Sequence, residues 1–256
     1  MNPLKQKDKV LHQLILTGFV GLFFAVILIV GKAYTKWIVR SSTFKVSKIE
    51  IEGNELLSQE DILQLAGLKE GMSTWAIDLK TIEKTIDQNV FFEEVSVNRK
   101  LPDGLKIKII EKRPVALLKI KDSFLCIDPE GLVLPSTPGK LYNLPVLSGN
   151  FKGEIGVGHL AGGSLVKEGL FFLLSVLHDR PRMYNSISEV VVGQSGGLVL
   201  YTSQFGVQVN IGNEKIDQKI RCLEAILNEL TSNKELSKTQ YIDLNFDGQV
   251  VVGMRT

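Results

Sequence analysis

Chemically reactive side chains are scarce in this sequence. Of 256 residues, two are cysteine, three are histidine and two are tryptophan. Cys126 and Cys222 stand far apart and form neither a disulfide framework nor a zinc pattern. Both are expected as small buried side chains; one long-range bridge is the alternative that an oxidising compartment permits. A surplus of either charge is missing too, since the formal net charge is +2. No Lys/Arg run alternates with aromatics, so no nucleic-acid partner is expected. Phosphate-cradling patterns of the GxxxxGK[ST] and GxGxxG kinds are absent. No His/Cys/Asp cluster has ligand spacing. Asp243 and Asp247 are four apart, but on a strand and a turn, where solvation is the default. No metal and no cofactor is therefore expected.

The nearest approach to a catalytic motif is Gly193-Gln194-Ser195-Gly196-Gly197, a serine among glycines. A nucleophilic serine needs a base within hydrogen-bond reach and a group that orients the base. His12 lies in an apolar run, and His159 and His178 sit in no matching motif. The pentapeptide reads as a glycine-rich hairpin turn between EVVV and LVLY. These absences point to a binding protein and away from an enzyme.

What the chain does have begins with one long apolar run. Residues 10–31, VLHQLILTGFVGLFFAVILIVG, carry no charge. As a helix this run is about 33 Å long, at about 1.5 Å per residue, and it matches a bilayer core of about 30 Å. Tyr34 and Trp37 follow it, as amphipathic rings do at a membrane interface. A cleavable signal has a shorter apolar stretch and a small-residue exit, which GKAYTKWIVR does not offer. Residues 1–9 are expected as a short tail and 10–31 as a single transmembrane helix. Basic residues flank both ends, so charge does not choose an orientation.

Residues 44–114 form a first soluble module. Phe44, Val46, Ile49 and Ile51 mark a strand, closed by the turn pair Gly53-Asn54. Ser58 and Asp61 suggest a capping box, Gly67 a helix stop, and Asp78 a second cap before Leu79, Ile82, Ile86 and Val90 at helical spacing. Two alternating runs then flank Pro102-Asp103-Gly104, a turn in which proline sets φ and glycine is expected to accept positive φ. The order strand, helix, helix, strand, strand predicts an α+β module with two helices on a three-stranded sheet.

Residues 115–256 form a second module. VALLKI and SFLCID read as strands, turned by Asp128-Pro129-Glu130-Gly131. Six glycines between 149 and 163 predict a mobile or extended segment. Residues 165–178 and 214–230 show helical periodicity, and 187–192, 198–202 and 206–211 read as strands. YIDLNF and QVVVGM close the chain as a hairpin about Asp247-Gly248. The fold class is α+β: a transmembrane helix, a βααββ module, then a mainly antiparallel β-domain with two helices.

Several of these residues in combination resemble the FtsQ/DivIB family of bacterial cell-division proteins. In the first module they are Ile49-Glu50-Ile51-Glu52-Gly53-Asn54, Leu101-Pro102-Asp103-Gly104 and Glu111-Lys112-Arg113-Pro114-Val115-Ala116, which look like a POTRA domain of that family. In the second they are IDPEGLVL, Leu144-Pro145-Val146-Leu147-Ser148-Gly149 and Tyr241-Ile242-Asp243-Leu244-Asn245-Phe246. Between 150 and 185 only the helix is matched. The resemblance implies a non-enzymatic divisome scaffold in the inner membrane at the septum, with a cytoplasmic N-terminus and the bulk of the chain extracytoplasmic. It implies FtsB- and FtsL-type partners, captured by β-strand addition along residues 249–253. The partner-binding residues carried over are Phe246, Gly248, Gln249, Val250 and Gly253, with Val97 and Arg99 on the POTRA-like module for other divisome members. Two alternatives stay open: a POTRA-containing translocation or outer-membrane assembly factor, and an anchored periplasmic hydrolase.

Overall fold

The computed structural model describes residues 3–137, 139–152, 155–195, 197–246 and 248–255, with backbone alone for 3–16 and 19. Its chain divides into two compact units between Ile110 and Glu111.

The first unit opens with α1, Pro3–Arg40, of 38 residues. The helix runs past both ends of the apolar run: residues 32–40 hold no glycine or proline to stop it, and Pro3 stands at its first position, where proline is tolerated. Phe23, Phe24, Leu28 and Ile29 project outward uncovered by protein. Such a helix is stable where the solvent is lipid, and Val20–Arg40 is long and apolar enough to cross a bilayer.

A three-stranded sheet follows, built from β1 (Lys48–Glu52), β2 (Phe92–Lys100) and β3 (Gly104–Glu111) in the order β1-β3-β2. Helices α2 (Gln59–Ala66) and α3 (Leu79–Asp87) come between β1 and β2. The side chain of Ser58 caps α2 by accepting from the Asp61 N–H, and Gly67 ends it at φ 63°. Asp61 answers through its carboxylate, which accepts from the Ser58 hydroxyl at 2.7 Å. Asp78 caps α3 by accepting from the N–H groups of Lys80 and Thr81. Ile62, Ile86, Leu105 and Ile107 are fully buried between the helices and the sheet. Burial of each contributes about 1.5–3 kcal/mol.

At the Leu101-Pro102-Asp103-Gly104 turn the reason for glycine differs from the expected one. Gly104 has no positive φ; a Cβ there would lie 2.9 Å from the Lys100 carbonyl oxygen. Close approach of the two strands, and not left-handed backbone, excludes a side chain. Positive φ is required instead at Gly53 (φ 87°), where a Cβ would also collide with the Ile109 carbonyl.

The second unit is a nine-stranded sheet. Its strands are β4 (Ala116–Ile120), β5 (Ser123–Ile127), β6 (Val133–Leu134), β7 (Val146–Gly149), β8 (Ile187–Val192), β9 (Leu198–Thr202), β10 (Gln208–Gly212), β11 (Thr239–Asp243) and β12 (Val251–Met254). The order is β12-β11-β10-β9-β8-β7-β4-β5-β6. Five neighbouring pairs are antiparallel and three, β4–β7, β7–β8 and β10–β11, are parallel. Helices α4 (Ser164–Asp179), α5 (Pro181–Tyr184) and α6 (Ile216–Ser232) complete the unit. Gly169 lets α4 sit close, since a Cβ there would meet the Leu147 side chain at 2.3 Å. Leu118, Leu147, Phe172, Leu173, Val190 and Leu200 are fully buried in this core.

Asp128 ties the start of this unit together. It is fully buried, and its Oδ1 accepts from the N–H groups of Glu130 (3.0 Å) and Leu132 (2.7 Å). Its Oδ2 lies 3.2 Å from Lys112 Nζ. Partial burial alone would lower the Lys112 pKa, but Asp128 and then Glu130 outweigh it and raise it. Of the glycine-rich stretch expected to be mobile or extended, residues 158–161 run along β6. Val133 donates to the His159 carbonyl at 3.0 Å, Gly158 to Val133 at 2.8 Å and Ala161 to Gly131 at 2.7 Å.

Candidate partner-binding edge

The terminal strand β12 pairs with β11 alone among the described strands, and it stands at the end of the sheet. Its register sets Asp243 against Val251, Ile242 against Val252 and Tyr241 against Gly253. This corrects the expected terminal strand. The strand begins at Val251, so Phe246, Gly248, Gln249 and Val250 belong to the β11–β12 connection and Gly253 alone lies on the edge. Asp243 starts the departure from strand geometry: its Oδ1 accepts from both the N–H and the Nδ2 of Asn245 at 2.9 Å. The expected hairpin turn is present between Phe246 and Gln249: the Gln249 N–H donates to the Phe246 carbonyl at 3.4 Å, and Gly248 has φ 70°. Asp247 itself lies outside the described residues.

The structure nevertheless brings four of the expected residues together. Phe246, Gly248, Gln249 and Val250 line one groove of about 230 Å³ against Lys215, Lys219 and Cys222, beside or on α6. Phe246 is 55% exposed, whereas Val250 packs partly on the core. Cys222 departs from expectation: it is exposed, because its neighbour Leu223 takes the inward position on α6, while Cys126 is buried as expected. Burial pushes the Cys126 thiol pKa up.

Sequence reasoning missed the outward apolar side chains of the strand itself. Val251 (39%), Val252 (37%) and Met254 (45%) are exposed, and so is Tyr241 beside them. Three consecutive valines hide the period-2 signal that would have assigned faces. Tyr241 also explains the glycine opposite it. A Cβ on Gly253 would come 2.1 Å from the Tyr241 ring, so the ring lies across the bare backbone. Hydrogen bonds hold the edge in place from behind. Gln208 Nε2 donates to Asn210 Oδ1 at 2.9 Å, Asn210 Nδ2 donates to Asp243 Oδ2 at 3.3 Å, and Arg255 N–H donates to the Lys238 carbonyl at 2.7 Å.

Strand β2 is also an end strand, but its other expected contacts serve the fold. Val97 is buried, and its N–H donates to the Glu83 carboxylate of α3 at 3.2 Å. Arg99 donates to the carbonyls of Thr74 (2.9 Å) and Ile77 (2.7 Å). The serine among glycines sits in the β8–β9 turn, where Gly193 donates to Gly197 at 2.8 Å; Gly196 is outside the described residues. No group of three potential metal ligands occurs among the described residues.

A long apolar helix, one βααββ module and a larger mixed sheet define the class: a membrane-anchored protein with a POTRA-type module and a β-domain. The family description "POTRA domain, FtsQ-type" matches residues 44–112, and "FtsQ/DivIB, C-terminal related" matches 113–253. The chain belongs to the FtsQ/DivIB family of cell-division proteins. It is 27% identical over 223 residues to the cell division protein FtsQ of Geotalea daltonii, covering 87% of this chain and 80% of that one. It is 28% identical over 213 residues to FtsQ of Syntrophotalea carbinolica, covering 83% and 74%. It is also 31% identical over 133 residues to DivIB of Bacillus subtilis, covering 52% and 48%.

Proposed function

We propose that this protein is a non-enzymatic divisome scaffold that links early and late division proteins and supports septal peptidoglycan synthesis. It captures an FtsB-type partner, itself associated with an FtsL-type protein, by adding the partner's strand to β12. The observation that carries the reading is the sheet end at Val251–Met254, whose far side pairs with no described strand. An edge of this kind supplies main-chain N–H and C=O groups, and the apolar side chains on either face supply specificity. Phe246, Gly248, Gln249 and Val250 extend the surface into the neighbouring groove, and Gly253 keeps Tyr241 flat against the strand. A second recruiting surface on β2 would present the exposed Glu93, Glu94 and Asn98, because Val97 is buried and Arg99 is bonded within the unit.

In the same proposal residues 1–9 are cytoplasmic, 10–31 span the inner membrane, and the POTRA module (44–114) and β-domain (115–256) lie outside the cytoplasm at the septum. The two cysteines supply a direct test, because Cys222 is exposed and Cys126 is buried. A membrane-impermeant maleimide added to intact spheroplasts is expected to label Cys222. Labelling that requires lysis overturns the orientation. For partner capture, the full chain in bilayers is mixed with an FtsB-type protein. The folded double variant Val251→Lys, Val252→Lys is expected to weaken capture about tenfold; undiminished capture by that variant rejects strand addition at β12.

A further inference from the structure

We propose that the exposed face around Phe44, Met72 and Trp75 rests in the phospholipid headgroup layer of the bilayer that α1 spans, which lays the first unit against the membrane. This rests on α1 being a membrane span.

Helix α1 ends at Arg40, and the Ser41 N–H still bonds to the Trp37 carbonyl at 2.9 Å. The chain passes through a short turn at Ser42–Phe44 and is then clamped at once. Thr74 donates to the Phe44 carbonyl at 2.7 Å, Val46 donates to Met72 at 2.8 Å and Gly71 donates to Val46 at 2.9 Å. The loop that carries Met72 and Trp75 is therefore fastened to the residues that leave the membrane helix. Phe44 lies only four positions beyond Arg40, a reach of at most about 14 Å. Whatever angle the unit takes on this tether, the loop stays close to the bilayer surface.

The side chains presented there suit that layer. Trp75 is 45% exposed and Met72 is 41% exposed. The Phe44 and Trp75 rings meet edge to face with centroids 6.4 Å apart. The Arg99 guanidinium lies 5.6 Å from the Trp75 ring centroid, and its bonds to the Thr74 and Ile77 carbonyls hold it there. Arg99 thus stiffens the indole from one side and leaves the rest of the ring outward. A rigid, outward indole backed by a fixed cation is costly in water and favourable among headgroups, where amphipathic rings collect. Trp37, stacked on Tyr34 with centroids 6.1 Å apart, marks the same layer on α1. The rise from Trp37 to Arg40 is only about 4.5 Å.

The chain contains just two tryptophans, Trp37 and Trp75, which makes the test clean. Full-length Trp37→Phe protein, with Trp75 as its single indole, is reconstituted into phosphatidylethanolamine–phosphatidylglycerol vesicles. Quenching by lipids spin-labelled near the headgroup is compared with quenching by aqueous iodide; Trp75→Phe protein reports Trp37 in parallel. Trp75 is expected to be quenched by the shallow lipid label to an extent comparable with Trp37, and to be shielded from iodide. Lipid quenching of Trp37 with Trp75 open to iodide overturns the headgroup contact and leaves the anchor intact. So does Trp75 becoming shielded only when a division partner protein is added, since the face then docks protein. Loss of lipid quenching at both positions, with extraction of the chain by alkaline carbonate, overturns the membrane span and the contact together.

Discussion

The two ends of the nine-stranded sheet are treated in opposite ways. At one end, β6 is short, and residues 158–161 run back along it with hydrogen bonds to Gly131 and Val133. At the other, β12 has no described strand beyond it and shows Val251, Val252 and Met254 to solvent. The first unit's β2 resembles the covered end, because Glu83 occupies the Val97 N–H and charged residues stand outward. Exposed sheet edges invite unwanted pairing, and proteins blunt them with coverage, charge or short length. Coverage is absent at β12 among the described residues, and the proposed strand addition uses that open edge.

This contrast is broken most severely at Gly253. Gly253→Val drives a side chain into the Tyr241 ring and detaches β12. It is expected to weaken FtsB-type capture about a hundredfold, about 2.7 kcal/mol, in a binding titration, while melting of the first unit stays unchanged. The double variant Val251→Lys, Val252→Lys keeps the pairing and adds charge to the edge. A loss of about tenfold is expected, about 1.4 kcal/mol, against less than about twofold for Asn98→Lys on β2. Equal losses at the two edges would erase the distinction between them.

Removing the guard on β2 has a smaller effect. Glu83→Ala frees the Val97 N–H and is expected to cost about 1 kcal/mol, seen as faster amide exchange at Val97. The smallest effect concerns Glu50, whose carboxyl is held from 4.5 down to about 2 by hydrogen bonds from Lys100 and then Lys48. The folded value lies below the unfolded one, so the stabilisation is complete above pH 4.5 and is lost as pH falls through about 2. Glu50→Gln is expected to flatten this acid limb of the first unit's denaturation curve and to leave the second unit's curve unchanged.

Much of the architecture was legible because its signals are local. An uncharged run long enough to span a bilayer does not depend on distant residues. Neither do the side-chain caps at Ser58 and Asp78 or the stop at Gly67, each satisfied within three residues. Amphipathic periodicity marked α4 and α6 within two residues of their ends. The candidate site was legible only in part. Its groove residues were found, but the strand was placed early, because QVVVGM has no alternation to assign its register. The Asp-Gly turn itself was legible, with the Gln249 N–H bonded to the Phe246 carbonyl, but pairing with β11 resumes only at Val251.

By itself, then, the sequence determined most of the elements, their caps, an apolar run long enough to cross a bilayer and the division into modules, through hydrophobic period and neighbouring hydrogen bonds. Tertiary structure alone decided the strand order, the three parallel pairings and the reason Gly104 and Gly253 must be glycine. It also decided that Cys222 faces solvent and that β12 ends the sheet. These depend on which surfaces meet after long stretches of chain have closed, and no local pattern encodes the partner on the far side of a strand.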